Sequence, residues 1–409
     1  MKKYRFHLLG LVHLPTHTKY TSCAFTWKNL KLAKMLTSMG HKVYVYCSEG
    51  SDIDKYCNSD NLIKVETHTL KDIRDAWGEG WNLESYPNIG YDWQNTQFKH
   101  DINTEKKAVT LKYYANAIKK INEIKKDDDF LLVTQGTYQK PISDVVNLYL
   151  TVEPGIGYRG SYCNFRAFES TYIQNFSYGS QYPRQSINGN FYDRVIPNYF
   201  DLKDFPFVTE KDDYFLFMGR LIVRKGLSIA IKAVEAVGGR LIVAGQMDNE
   251  GKTLIKNKVV EYVGYADVKK RADLMSHAKA VFTPSLYLEP FCGVHAESML
   301  CGTPVITTNF GAFTDTFPDQ VCGYRCDTLD DFIWAAKNVD RLSPKRIHEW
   351  AFNKFSLEAV SLQYQKWFND LMMVYQSTQD KNIKGWSRVR TDEPEWRTKF
   401  NIIQTSWYN

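Results

Sequence analysis

From Lys279 to Thr308 the chain must pass from strand to loop to helix and back to strand. Lys279 to Thr283 is a β-type run that ends at the breaker pair Pro284-Ser285. Glu289, Pro290, Phe291 and Gly293 follow on a loop. Ala296, Met299 and Leu300 then recur at helical spacing until Gly302 and Pro304 stop them, and Val305 to Thr308 is the next strand. Such a unit belongs to a parallel sheet with helices on its faces. It puts the loop at the carboxyl end of the strands, where open α/β sheets bind ligands.

Two acids stand in this unit with seven residues between them. Glu289 is on the loop, and Glu297 shares a helix face with Gly293, four positions before it. A carboxylate at Glu297 can accept two hydrogen bonds from a ribose diol. The amides around Gly293 and Val294, at the positive end of the helix, suit a diphosphate. The string from Glu289 to Ile306, E-P-F-C-G-V-H-A-E-S-M-L-C-G-T-P-V-I, resembles the glutamate-(seven residues)-glutamate motif of the retaining, glycogen-synthase-like glycosyltransferases of family four. The glycine comes one place late, with Cys292 in its usual position, and Ser298 replaces an alanine.

The resemblance implies the GT-B architecture, an α/β fold in which two Rossmann-like domains face each other across a cleft. Three boundaries follow: 1–200 as an acceptor-binding domain, 201–375 as a nucleotide-sugar-binding domain, and 376–409 as a segment packing back on the first. The linker V-I-P-N-Y-F-D, Val195 to Asp201, is similar to the family's V-I-P-N-G-x-D, with Tyr199 in place of glycine. At 409 residues the chain exceeds one ordinary core, so two domains are also the count that length favours.

In the second domain, Tyr214 to Met218 reads as a strand, and Gly219-Arg220-Leu221-Ile222-Val223-Arg224-Lys225-Gly226 is similar to the family's G-R-x-x-x-x-K-G. Arg220 and Lys225 therefore flank a strand-to-helix turn. There Arg can grip phosphate oxygens bidentately and Lys acts as a point charge. Gly219, Arg220, Lys225, Phe291, Gly293, Val294 and Glu297 form the implied donor site. Glu289, Lys225 and Arg220 are the implied catalytic residues. Gly245-Gln246 and Gly264-Tyr265 end strands whose loops face a base. Asp315, after Asn309 to Phe313, is a candidate partner for the sugar.

The first domain matches only in outline. Tyr4 to Leu11 and Lys42 to Cys47 read as strands around a helix bearing Leu32, Met35, Leu36 and Met39. The family's glycine-rich first loop is here Thr16 to Phe25, without glycine, so close backbone approach to a phosphate is not expected from it. V-E-P-G-I-G-Y-R-G, Val152 to Gly160, places Glu153 where many family members have a histidine. Glu153 is a candidate to hold an acceptor hydroxyl, accept its proton or only brace the loop. Gly155 and Tyr158 are candidate acceptor contacts. The spacing of Gly155, Gly157 and Gly160 is a weak nucleotide fingerprint. The run from Phe165 to Gln174 reads as a helix with Arg166 and Glu169 paired on its surface. Thr104 to Lys125 reads as a helix with Ala108, Leu111, Ala115 and Ile118 inward. The aromatics from Trp77 to Phe98 sit on a long connection that suits stacking or packing.

Hydrophobic content of 44% and charged content of 24% describe a water-soluble globular chain, and no apolar run reaches membrane-spanning length. The start, Met1-Lys2-Lys3, is not read as a signal peptide, and the eight cysteines lack a disulfide-scaffold spacing, so a reducing cytoplasm is expected, host cytoplasm if the chain is viral. No metal or cofactor is expected; a UDP-, GDP- or ADP-linked sugar is the substrate. Net charge of +6 suits an anionic donor. The acceptor is a glycan or another biopolymer. First-domain strings such as V-H-L-P and F-E-S look like a phage or viral branch, for which DNA modification at 5-hydroxymethylated pyrimidines is the alternative. A non-catalytic nucleotide-sugar-binding protein is the alternative of another class.

Overall fold

The computed structural model describes residues 2–21, 23–77, 108–181, 190–246 and 249–379. The expected aromatic connection from Trp81 to Phe98 and the tail after Gln379 lie outside them. Two parallel sheets organise the described residues. The first has seven strands: β1 Arg5–Leu9, β2 Lys42–Ser48, β3 Leu62–His68, β4 Phe130–Leu132, β5 Thr151–Ile156, β6 Phe165–Phe168 and β7 Arg194–Val195. Their order is β3-β2-β1-β4-β5-β6-β7. The second has six: β8 Phe215–Met218, β9 Leu241–Ala244, β10 Val260–Tyr262, β11 Ala280–Thr283, β12 Val305–Thr308 and β13 Gly323–Cys326. Their order is β10-β9-β8-β11-β12-β13. In each sheet the order reverses beside the first strand, the switch point at which doubly wound sheets open a crevice.

Central strands buried on both faces explain the unbroken apolar runs: every residue of β8, β9, β11 and β12 is buried. The chain crosses between lobes twice, side by side. Phe200 N donates to Phe355 O at 2.9 Å and Leu357 N to Phe200 O at 2.9 Å. Lys31 and Lys34, on the helix Ala24–Ser38, fasten the first crossing through Asn198 Oδ1 (2.6 Å), Tyr199 O (2.8 Å) and Asp201 Oδ2 (2.7 Å).

The helix Leu357–Gln379 returns to the first lobe, setting Tyr364, Trp367, Phe368 and Leu371 against Tyr4, Phe6 and Phe130. Each such buried side chain contributes about 1.5–3 kcal/mol. Packing on the first lobe thus begins about Val360, ahead of the expected 376. Two other expectations change. The helix Ala108–Ile124 turns Val109, Tyr113, Tyr114, Ala117 and Ile121 inward, while Leu111 is 58% exposed. That face follows large aromatics, which the apolar count had set aside in favour of alanines. Phe165 to Phe168 is strand β6, fully buried, and the helix starts at Thr171. Two phenylalanines in four residues favour a strand between neighbours over a helix start.

Candidate active site

A cleft of about 620 Å³ separates the lobes, lined from both sides. The second-lobe wall is built by two loops that touch. Gly226 (φ +74°) closes the loop after β8, and a Cβ there would stand 2.0 Å from Pro284 O. Only glycine fits so close an approach in a left-handed conformation. Leu286 N donates to Arg224 O at 2.7 Å, locking the loops in register.

This contact brings Lys225 to Glu289. Lys225 Nζ lies 2.5 Å from Glu289 Oε1, which also accepts from Ser285 Oγ at 2.7 Å, and Tyr287 OH donates to Glu289 Oε2 at 2.6 Å. Glu289 is 3% exposed. Burial opposes its charge, but Lys225, Tyr287 and Ser285 together hold its carboxyl below the usual carboxylate range. Lys225 loses solvation too, yet Glu289 holds its ammonium above the usual lysine value. Arg220 lines the same wall, its guanidinium pushed down by burial and by Arg224.

The helix Gly293–Leu300 points its amino end into the cleft, so its first amides are not consumed within the helix. Cys292, just before it, adopts φ +70°, a conformation that accounts for a glycine preference at that position. Glu297 is 5% exposed; its Oε2 lies 3.3 Å from Arg271 Nε and takes no hydrogen bond. Gln246, at the end of β9, presents a buried, unpartnered Nε2 in the same cleft. His295, fully buried, reaches back to Cys292 O, and burial pushes its imidazole down to about 4, so it is a neutral brace.

Gly219, Arg220, Lys225, Glu289, Phe291, Gly293, Val294 and Glu297 thus line one cleft, opposite Gly155 and Tyr158. Glu153 is not among the lining residues. It is fully buried, and its oxygens accept from Tyr158 OH (2.9 Å), Tyr162 N (3.0 Å) and Cys163 N (3.3 Å). Of its three expected roles, bracing is the one this geometry fits. Arg166 does not pair with Glu169 on the surface. It is 2% exposed and bonded to Asp193 at 2.8 Å, while Glu169 turns into the cleft. Asp315 caps across the lobes, its Oδ2 accepting from Thr171 N at 2.8 Å, and it is not among the residues that line the cleft.

The reading from sequence missed Lys28, Lys31, Glu169 and Arg271, all on the cleft. A helix with lysines at positions 28, 31 and 34 carries one visible signal: cations on a face that is otherwise apolar. Lys28 Nζ donates to Thr134 O at 2.7 Å and lies 4.5 Å from the Tyr158 ring centroid. Burial pushes it down to about 8, against the pull of Glu169. Among the described residues no group of three or more His, Cys, Asp or Glu side chains is placed to hold a metal, and no helix is long and apolar enough to cross a membrane.

Residues 200–346 match the family model "Glycosyl transferases group 1". An uncharacterized glycosyltransferase of Methanocaldococcus jannaschii is 27% identical over 163 residues, 36% of this chain and 39% of that one. The chain therefore spans about two fifths of the length of this curated relative. Among solved structures, the sucrose-phosphate synthase of Thermosynechococcus elongatus has TM-score 0.65 at 16% identity, covering 91% of this chain and 100% of that one. An Anabaena protein solved with UDP and glucose has TM-score 0.54 at 14% identity, covering 90% and 100%. The chain has the two-lobed fold of these structures, and its second lobe bears the group 1 glycosyl transferase pattern.

Proposed function

We propose that this chain is a glycosyltransferase. It moves a sugar from a nucleotide-sugar donor to a hydroxyl of a glycan or other biopolymer, with retention at the anomeric carbon. The observation that carries the reading is the buried Lys225–Glu289 pair, held in one cleft with Arg220, the amino end of the helix Gly293–Leu300 and Glu297. A charge pair whose carboxylate side chain is only 4% exposed is costly to keep for stability alone, and its position beside an anion-binding helix end gives it a use.

In this reading Arg220, Lys225 and the first helix amides hold the departing diphosphate. They are fixed in place before charge develops, which is how preorganised groups lower a barrier. Glu289, its ionised form secured by three donors, holds sugar hydroxyls and faces the positive charge that grows at the anomeric carbon. Glu297 takes the ribose diol. The departing phosphate receives the acceptor proton, so no protein nucleophile is required. UDP-glucose is the first donor to try, by analogy with the neighbour solved with UDP and glucose.

A hydrolysis panel of UDP-, GDP- and ADP-sugars tests the proposal. Release of diphosphate from one donor, abolished by Glu289→Ala, is the expected result. No release from any donor would remove the transferase reading, and stabilisation by millimolar diphosphate without release would leave a non-catalytic nucleotide-sugar-binding protein.

A further inference from the structure

The first-lobe wall of the cleft carries one acid, Glu169, and its surroundings are built around it. It follows β6 directly and precedes Ser170, whose Oγ donates to Pro290 O at 2.5 Å, so this strand end is docked on the loop that bears Glu289. The Gly155–Gly157 segment lies under the carboxylate. A Cβ on Gly157 would stand 2.5 Å from Glu169 Oε2 and 3.7 Å from Pro290 Cβ; one on Gly155 would stand 3.9 Å from Glu169 Oε1. The spacing that looked like a weak nucleotide fingerprint therefore leaves room for a side chain. Burial pushes the Glu169 carboxyl above the usual carboxylate range, and Lys28 and Lys31, on the same corner, pull against that rise. Among the described residues the carboxylate nevertheless makes no hydrogen bond and no ion pair. A half-buried, charge-supported acceptor with open lone pairs awaits a donor from the cleft. Phe25 and Tyr158, with ring centroids 5.4 Å apart, line the cleft beside it.

We propose that Glu169 binds the acceptor, accepting a hydrogen bond from its attacking hydroxyl at the corner formed by Gly157 and Pro290. This rests on the transferase reading. The group it takes is a hydroxyl on a ring-bearing compound, since the carboxylate can accept its hydrogen bond and the Phe25 and Tyr158 rings lie beside it. In the step itself the acceptor oxygen bonds to the anomeric carbon as the carbon–phosphate-oxygen bond breaks. The hydroxyl proton goes to the departing diphosphate, and Glu169 orients the oxygen without taking that proton. The role expected of Glu153 is thereby met by a residue that reaches the cleft.

The test uses the full chain, UDP as the binding probe, and whichever of UDP-, GDP- and ADP-glucose the unmodified protein hydrolyses fastest, water being the acceptor. Glu169→Ala should lower hydrolysis at least tenfold and Glu169→Gln less, because its amide oxygen can still accept. Both should leave diphosphate affinity within twofold. Gly157→Ala, which keeps the carboxylate but displaces it, should also lower hydrolysis with affinity intact. Unchanged hydrolysis in Glu169→Ala, or diphosphate affinity falling in parallel with it, overturns the assignment while the transferase reading stands. An unmodified protein that hydrolyses none of the three donors overturns that reading, and this one with it.

Discussion

The two walls of the cleft are made differently. The second-lobe wall comes from short loops whose chemistry is contiguous in sequence: Arg220 to Gly226, and Glu289 to Glu297. The first-lobe wall gathers Phe25, Lys28 and Lys31 from one helix, Gly155 to Tyr158 from the end of β5, and Glu169 from the end of β6. A loop that must grip a diphosphate has few solutions, because strand end, turn and helix start all have to agree. A wall that meets a particular acceptor is free to vary, and side chains brought together only by the fold leave no spacing to read.

Alkali should show a property that the two lobes behind these walls share. Burial pushes Cys47 in the first lobe and Cys301 and Cys322 in the second up to about 12, from an ordinary value of 9.0. Above pH 9 the unfolded chain releases these protons and the folded chain keeps them. Stability present below pH 9 is therefore lost as pH rises toward 12. Far-UV circular dichroism should fall in that window together with exposure of thiols to a disulfide reagent. Retention of the full signal at pH 12 would contradict the buried placement.

Next in size is the second-lobe pair. Lys225→Ala and Glu289→Ala should each cut turnover about a thousandfold, roughly 4 kcal/mol. Lys225→Ala should also lose about 3 kcal/mol of stability, because Glu289, 4% exposed at its side chain, is left uncompensated. The double variant should fall short of the sum, since the two act as one unit. Turnover within tenfold of the unmodified protein would move the chemistry elsewhere and erase the contrast between the walls.

Gly226→Ala probes how the second wall is held. With φ at +74° and Pro284 O only 2.0 Å from the added carbon, the loops must part, and turnover should fall about a hundredfold although no charged group is removed. The smallest effect is expected from Cys292→Gly. Relief of a left-handed residue at φ +70° contributes about 1 kcal/mol, seen as a small rise in melting temperature with turnover kept. A fall in melting temperature would mean that the thiol's packing outweighs the strain.

The fold was legible because strands such as β4, β8 and β9 are runs that are apolar throughout, as doubly covered parallel strands require. The donor side was legible for the same local reason: Gly219 to Gly226 and Glu289 to Glu297 state their geometry in consecutive residues. Glu153 misled because its place in the sequence, at a strand end with glycines after it, says nothing about which way the carboxylate turns. It turns inward to two backbone amides and Tyr158. Glu169 was hidden behind Arg166, three residues earlier, because helical spacing offered a surface pair where the chain instead runs as buried strand β6.

Titration calorimetry with UDP, GDP and ADP, run on the unmodified chain beside Lys225→Ala and Glu169→Ala, is the most direct measurement. One diphosphate should bind at a single site, lose at least tenfold in affinity with Lys225→Ala and keep its affinity with Glu169→Ala. Binding that survives loss of Lys225, or that depends on Glu169 instead, would contradict a donor held by the second lobe and an acceptor met by the first.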